Sequence, residues 1–283
     1  MPGISRRAII GALGGGLAVL PFGVLARSRP AGPLATRDRA QLARRLATYL
    51  ALVDSGDDGQ QAFLAGPAPA EAQVPLRKTT LLNVALDDGG ELLAVEFLSE
   101  GADRPSEAGI TFYRIANGYI TQILPLERGA QLVRGGATGQ TQPIVALDDP
   151  LPATVVSPRM TRAKFEDYME LFGRFDERFT YYYTDDVVFA ASPAPEPLHG
   201  REGVLGLYRP LRANLGEDVT IHNLVIDSEA NLMIAGLTNT LTAYDEVVLP
   251  STVLQAGDQM ILSGAIVYGL KDGRIALIRD VGG

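Results

Sequence analysis

Two histidines, a few strand-borne carboxylates, a run of tyrosines and an asparagine are the side chains of this 283-residue chain with the chemistry to move a proton or hold a ligand. His199 stands in Leu-His-Gly-Arg-Glu, just before the glycine that opens an amphipathic segment. An imidazole titrates near neutral pH, so His199 is either an acid or base at the rim of a site or a loop residue where a helix begins. Asp280 lies near the end of the last strand. If Ala276 and Ile278 point into an apolar interior, period-two alternation sends Asp280 the same way. Apolar surroundings raise a carboxyl toward values useful for proton transfer. The alternative for Asp280 is a strand-end carboxylate, paired with Arg279 or facing water. His222 and Asn223 are neighbours on a strand, so one faces inward; Asn223 is the expected one, in a cavity-lining or sheet-structural role, which leaves His222 on the outer face.

Other polar groups carry less. In Tyr181-Tyr182-Tyr183 consecutive positions diverge, so one or two at most line a cavity. Asp185 and Asp186 alternate across a strand and do not converge on a metal. Arg201 and Glu202 fit a solvated helix start. Without cysteine there is no disulfide framework, and with only two histidines no Cys/His zinc site. Nucleophile elbow, phosphate loop and dinucleotide fingerprint are absent outside the glycines near the N-terminus. No metal and no cofactor are expected, and proton transfer is the chemistry that remains. A composition 46 % apolar and 20 % charged excludes collagen, coiled coil and a largely disordered chain.

Ser5-Arg6-Arg7-Ala8-Ile9-Ile10 precedes a Gly-rich apolar run from Gly11 to Leu25, with no acidic residue in the first 35 positions. This reads as a twin-arginine export signal over residues 1–35, cut after Ala26, or after Ala31 or Ala35. A permanent span needs about 20 strongly apolar residues, and glycines and a proline dilute this run. The expected location is therefore periplasmic or secreted, with membrane contact only through the signal segment. Removing the segment leaves 21 basic against 33 acidic residues, a net charge of −12. Nucleic-acid binders need clustered Lys and Arg, so no nucleic-acid partner is expected.

The elements that must position these residues repeat within the chain. Residues 110–120 lay over 265–275 without a gap, matching Tyr113 to Tyr268 and Gly118 to Gly273. Each reads as strand, Asn-Gly or Asp-Gly turn, strand. Residues 80–98 lay over 220–238, matching Asn83 to Asn223 and Asp87 to Asp227, and Phe63–Pro69 loosely resembles Phe189–Pro195. The fuller second copy opens with a helix carrying Phe165, Tyr168, Met169 and Phe172, stopped at Gly173. Asp176 caps a second helix to Tyr183, a strand follows through Phe189, and a third amphipathic segment with Val204, Leu205 and Tyr208 breaks at Pro210. Strands run from Val219 onward. The first copy has one helix, Asp38 to about Val53, and no equivalent of the third. The fold class is α+β: a degenerate domain over 36–128, a linker over 129–158 and a fuller domain over 159–283.

Helix, helix, Tyr-Thr-Asp-Asp-Val-Val-Phe, loop, Gly-Arg-Glu-Gly-Val and four strands make the second copy resemble the SnoaL-like branch of the nuclear transport factor 2-like superfamily. The resemblance implies two tandem cone-shaped domains, each a curved antiparallel sheet packed on helices around an apolar cavity. Members include isomerases, cyclases, dehydratases and other lyases, and also proteins that only bind or dimerise. In ketosteroid isomerase, a member of the superfamily, a three-tyrosine network falls on Tyr168, Tyr183 and Tyr208 of this sequence. Its two catalytic carboxyls fall on Ala191 and near Gly264, so that arrangement is missing. The resemblance implies a cavity in which Tyr168, supported by Tyr183 and Tyr208, polarises an oxygen, and the reading of the residues themselves offers Asp280 or His199 to move the proton. Phe172, Phe189, Asn223 and Ile278 would line it. The expected function is a cofactor-free lyase or isomerase acting on a small apolar or aromatic molecule. The alternatives are a periplasmic small-molecule-binding module, or a scaffold in which the halves pair as an internal pseudo-dimer; a homo-oligomer also fits.

Overall fold

Leu42, Leu46 and Tyr49 recur at helical spacing, and all three are buried on one face of helix α1 (Arg39–Ser55). A 3₁₀ turn, Asp58–Phe63, follows. The alternating runs after it form strands β1 (Lys78–Leu86), β2 (Leu92–Gly101), β3 (Arg104–Ala116) and β4 (Tyr119–Leu124). They pair antiparallel in sequence order. One sheet face meets α1 through Leu93, Val95, Tyr113 and Ile120. The computed structural model describes residues 39–56, 58–65, 78–101, 104–124, 126, 128–136, 150–191, 196–249 and 252–281. The signal segment, the Pro193 and Pro195 loop and residues 137–149 of the expected linker lie outside them.

The second half starts with α2 (Arg162–Gly173), capped by the Thr161 side chain accepting from the Lys164 backbone N–H at 3.1 Å. A 3₁₀ turn, Glu177–Tyr182, leads into β6 (Tyr183–Ala190), short β7 (Leu198–His199) and α3 (Gly200–Arg212). Then come β8 (Leu215–Asp227), β9 (Leu232–Ala243), the small hairpin β10 (Val247–Leu249) and β11 (Thr252–Leu254), β12 (Gln259–Lys271) and β13 (Arg274–Asp280). The main sheet runs β7-β6-β13-β12-β9-β8, antiparallel except where β6 lies parallel to β13. The α+β class with antiparallel sheets is as expected.

Pairing in the two sheets is alike residue for residue. The register of β1 and β2 shifts between Leu81 and Asn83, and that of β8 and β9 between the corresponding Ile221 and Asn223. A second shift, between Arg114 and Ile115, recurs between Gly269 and Leu270. Glu96 faces Ile110 as Gly236 faces Ala265. Both hairpin turns, Asn117-Gly118 and Asp272-Gly273, hold positive φ at both residues, the twist a two-residue connection needs. The outer faces of the sheets pack together: Ala85, Ala94, Ile110 and Phe112 meet Val225, Ile234, Ala265 and Val267.

Three expectations change. Within the expected linker, Gly129–Val133 forms strand β5, which pairs with Gln259–Ser263 of β12. The reason is length: β13 pairs β12 only from Ile266 to Lys271, leaving the rest of that edge unpaired without β5. Residues 153–157 also pack on the second half, where the buried Lys164 ammonium donates to the Val155 and Ser157 carbonyls at 3.1 and 2.7 Å. Helix α3 continues through Pro210 to Arg212, because a proline in the last turn forfeits only one hydrogen bond. The match of Phe63–Pro69 to Phe189–Pro195 is out of step. Leu64 bridges Ile120 in parallel, the place that Tyr183 takes opposite Ile275.

Candidate functional site

Between α2, α3 and the inner face of the second sheet lies a cavity of about 60 Å³. From α2 come Tyr168, Met169 and Phe172, from α3 Tyr208, and from the sheet Phe189, Val219, Leu237, Asn239, Ile266, Tyr268 and Ile278, with Ala191 beside them. Helical spacing on α2 and alternation on β12 and β13 put these side chains on inward faces. A cleft of about 340 Å³ between α2 and β8 adjoins the cavity, sharing Met169 and Val219 with it. Glu166, Glu170, Arg174, Glu217 and Asp218 supply its charge. Cavity and cleft together reach the range, roughly 300–1,000 Å³, in which small-molecule sites fall.

Tyr168 and Tyr183 share a buried hydrogen bond, with their hydroxyl oxygens 3.0 Å apart. Tyr208 and Tyr268 are also buried, and neither hydroxyl has a hydrogen-bond partner among the described residues. The expected three-tyrosine network is thus a bonded pair with two unbonded hydroxyls beside it. Tyr208 reaches the cluster through ring contacts to Phe172, Phe179 and Phe189, and not through its hydroxyl. Burial raises all four phenols above their ordinary value near 10; the Tyr183 bond opposes this at Tyr168, and neighbouring tyrosines add to it at Tyr183 and Tyr268. Near neutral pH these hydroxyls are hydrogen-bond donors and not bases.

Raised phenol values make the fold alkali-sensitive. The stabilising contribution is complete below the unfolded value near 10 and is lost as pH rises above it, because only the unfolded chain ionises there. In an alkaline titration followed by tyrosinate absorbance, the folded protein is expected to fall short of the denatured chain by these four tyrosines and by Tyr49, Tyr113 and Tyr182, which burial raises as well. They should then ionise together in the unfolding step. Gradual ionisation of all tyrosines before any change in circular dichroism would contradict a sealed cluster.

Of the expected site residues, Tyr168, Tyr208, Phe172, Phe189 and Ile278 line the cavity and Tyr183 backs Tyr168. His199 does not. It is exposed and pairs with Val188, whose neighbour Phe189 takes the inward face, so both point away. Asn223 is also turned out: the shift at His222 places it opposite Gly236, on the face packed against the first sheet. His222 lies on the outer face as expected, with Nε2 2.8 Å from the Thr238 hydroxyl. Asp280 is half-buried opposite Ile266, hence on the cavity face, yet it is not among the lining residues. Asp185 and Asp186 diverge to Arg201 and Lys271. Ala191 lines the cavity where the resemblance would place a carboxyl.

Sequence reasoning missed Tyr268, Asn239 and Glu217. Tyr268 follows Ile266 by two positions and so shares its face. Asn239 pairs across from Val219, and its Oδ1 is buried without a hydrogen bond. Glu217 precedes Val219 by two and was hidden because the strand starts at Leu215, earlier than the first apolar pair suggests. Its carboxylate is buried against the Arg212 guanidinium, which also donates to the carbonyls of Phe172 and Gly173. Arg212 in turn stacks over Phe172, Phe175 and Tyr208. Among the described residues no three His, Asp or Glu side chains converge as a metal site requires.

The chain is similar to solved structures over less than half of its length. A candidate polyketide cyclase from Xanthomonas campestris pv. campestris is 17 % identical over 41 % of this chain and 84 % of that one, with a TM-score of 0.37. An LEH-like epoxide hydrolase from M. tuberculosis is 18 % identical over 46 % and 83 %, with a TM-score of 0.33. An NTF2-like protein of unknown function from Burkholderia pseudomallei is 13 % identical over 47 % and 92 %, with a TM-score of 0.35. Among curated proteins none matches. Residues 165–278, which contain every residue lining the cavity, match the SnoaL-like domain family.

Proposed function

We propose that the second half holds a cofactor-free site for a small, largely apolar or aromatic molecule carrying an oxygen, and acts on it by proton transfer as an isomerase or lyase does. The observation that carries this reading is three buried phenols, Tyr168, Tyr208 and Tyr268, lining an apolar cavity that adjoins an open cleft, two of them unbonded and the third backed by Tyr183. A hydrogen-bond donor held in apolar surroundings is suited to stabilising charge that develops on a ligand oxygen. Further proposals go with it. The matched registers of the two sheets support a tandem origin, with the first half as a degenerate copy packed as an internal partner. The paired arginines and the apolar run after them support export to the periplasm or beyond.

The test is saturable binding of small aromatic ketones and phenols to the chain without residues 1–35, followed by product analysis. Tyr168→Phe is expected to weaken binding about tenfold, the worth of one buried hydrogen bond. Ligand recovered unchanged would favour a binding module over an enzyme. A lack of saturable binding across the panel would reject the site and leave the scaffold role.

A further inference from the structure

We propose that Glu217 is the acid–base residue of this site, taking a proton from the carbon beside a ligand carbonyl and giving it back. The inference rests on the reading of cavity and cleft as a ligand site. Alternation along β8 sends Glu217, Val219 and Ile221 to one face before the shift at His222, and Val219 lines both cavity and cleft. Glu217 therefore sits where the open cleft meets the buried tyrosines. Its residue is 8 % exposed, its Oε2 is held by Arg212, and its Oε1 accepts no hydrogen bond among the described residues.

The surroundings suit a base. Arg212, whose guanidinium holds the Glu217 carboxylate, lies over the Tyr208 ring at 5.6 Å, which puts the carboxylate on the tyrosine side of the cleft. Burial raises its carboxyl, and the charge and hydrogen bond of Arg212 oppose the rise without cancelling it. The other cleft carboxylates on α2 sit on its exposed side, where Glu166 pairs with Arg162 and Glu170 with Arg174. Glu217 thus supplies the buried carboxyl that Ala191 does not.

In the step, the C–H bond breaks and its electron pair becomes the C=C bond of an enolate. The carbonyl π pair moves onto oxygen, where the Tyr208 or Tyr268 hydroxyl donates, and the proton forms an O–H bond on Oε1 of Glu217. Once the Oε1 proton has exchanged with solvent at the open cleft, delivery of the solvent proton to the same carbon gives isotope exchange, and delivery to a conjugated carbon gives isomerisation. No other reactant is needed.

The test uses β-tetralone as probe in deuterium oxide, with loss of its exchangeable C–H signals followed by NMR and its affinity measured separately. The chain is expected to bind the ketone and accelerate exchange. Glu217→Gln should keep the affinity and lower exchange at least about 100-fold, the scale of positioned acid–base catalysis. Glu217→Asp, which keeps the charge opposite Arg212, should exchange at a rate between the two and decides the matter if the glutamine variant fails to fold. Full exchange by a folded glutamine variant, or binding without exchange by the unaltered chain, would overturn the role of Glu217 and leave the ligand site standing. A chain that does not bind the ketone at all would overturn the site reading and this proposal with it.

Discussion

Asp176→Ala is expected to lower the stability of the chain by about 3–5 kcal/mol, the cost of leaving a buried charge without its partner. Asp176 has no solvent exposure and Arg178 retains only 6 %. The Arg178 Nε lies 2.8 and 2.9 Å from the two carboxylate oxygens, Nη2 completes a fork, and Nη1 donates to the Pro150 carbonyl at 3.1 Å. Asp176 also caps the 3₁₀ turn by accepting from the Arg178 backbone N–H at 3.1 Å. That turn delivers Tyr182 and Tyr183 to the tyrosine cluster, so the loss reaches the site as well as the fold. In urea the midpoint should fall with an unchanged slope, and Asp176→Asn, which keeps an acceptor oxygen, should lose less. A midpoint within the error of the parent would show that the pair adds nothing.

The same carboxylate gives the protein an acid limit. Burial pushes Asp176 up, but the hydrogen bonds and charge of Arg178 outweigh it and hold the group below its ordinary value near 3.8. A lowered folded value contributes stability that is complete above the unfolded value and is lost as pH falls through the folded one. Asp258, held down by the backbone N–H groups of Gln255 and Gly135 and by Arg134, acts in the same direction. Acid unfolding is therefore expected below about pH 4, and the Asp176 variants should flatten it.

Glu96→Ala is expected to cost on the order of 2 kcal/mol and to act on both halves at once. Arg279 of β13 grips the Glu96 carboxylate with two hydrogen bonds of 2.8 Å, and Asn83 adds a third at 2.6 Å. Glu96 is 1 % exposed, whereas the Arg279 side chain keeps 29 % and can turn to water, so the loss is smaller than for Asp176. The corresponding position in the second half is Gly236, where a Cβ would come within 3.0 Å of Leu126 and 3.2 Å of Phe112. One half thus supplies an ion pair across the sheets and the other the room for an aromatic ring. Beside them, the Leu86 N–H donates to Asp227 at 3.0 Å and the Ser228 hydroxyl to Asp88 at 2.6 Å. If these contacts join the halves, Glu96→Ala should lower a single thermal transition. Glu96→Leu with Arg279→Met, which fills the space without a charge, should restore most of it. A transition that splits in two on Glu96→Ala alone would mean that the halves fold separately.

Most of the elements were legible in the sequence. The Asn-Gly and Asp-Gly hairpins, the helix through Phe165, Tyr168 and Phe172, the Asp176 cap and the strand through Phe189 depend on turn chemistry and short-range periodicity, which act within a few residues. The paired residue types of residues 80–98 with 220–238 and 110–120 with 265–275 were visible in the sequence, and the strands they fall on pair in the same registers. Five of the nine expected site residues line the cavity, because helical spacing on α2 and alternation on β13 fix which way they point.

Tertiary structure decided the rest. Alternation predicts a face only until a register shift reverses it, and the shift at His222 carried Asn223 out of the cavity. A short strand such as β7 has no pattern of its own, so only its pairing with Val188 shows that His199 faces away. Strand β5 exists because β12 is longer than its neighbour, a relation between segments about 130 residues apart that neither segment records. Nothing local in the sequence marks Glu217; its burial against Arg212 and its place in the cleft exist only in the folded chain. The local chain by itself determined its helices, turns and apolar faces, since those are properties of neighbours in sequence. Which polar groups end up buried together was decided only by packing, because burial depends on what the rest of the chain brings across the sheet.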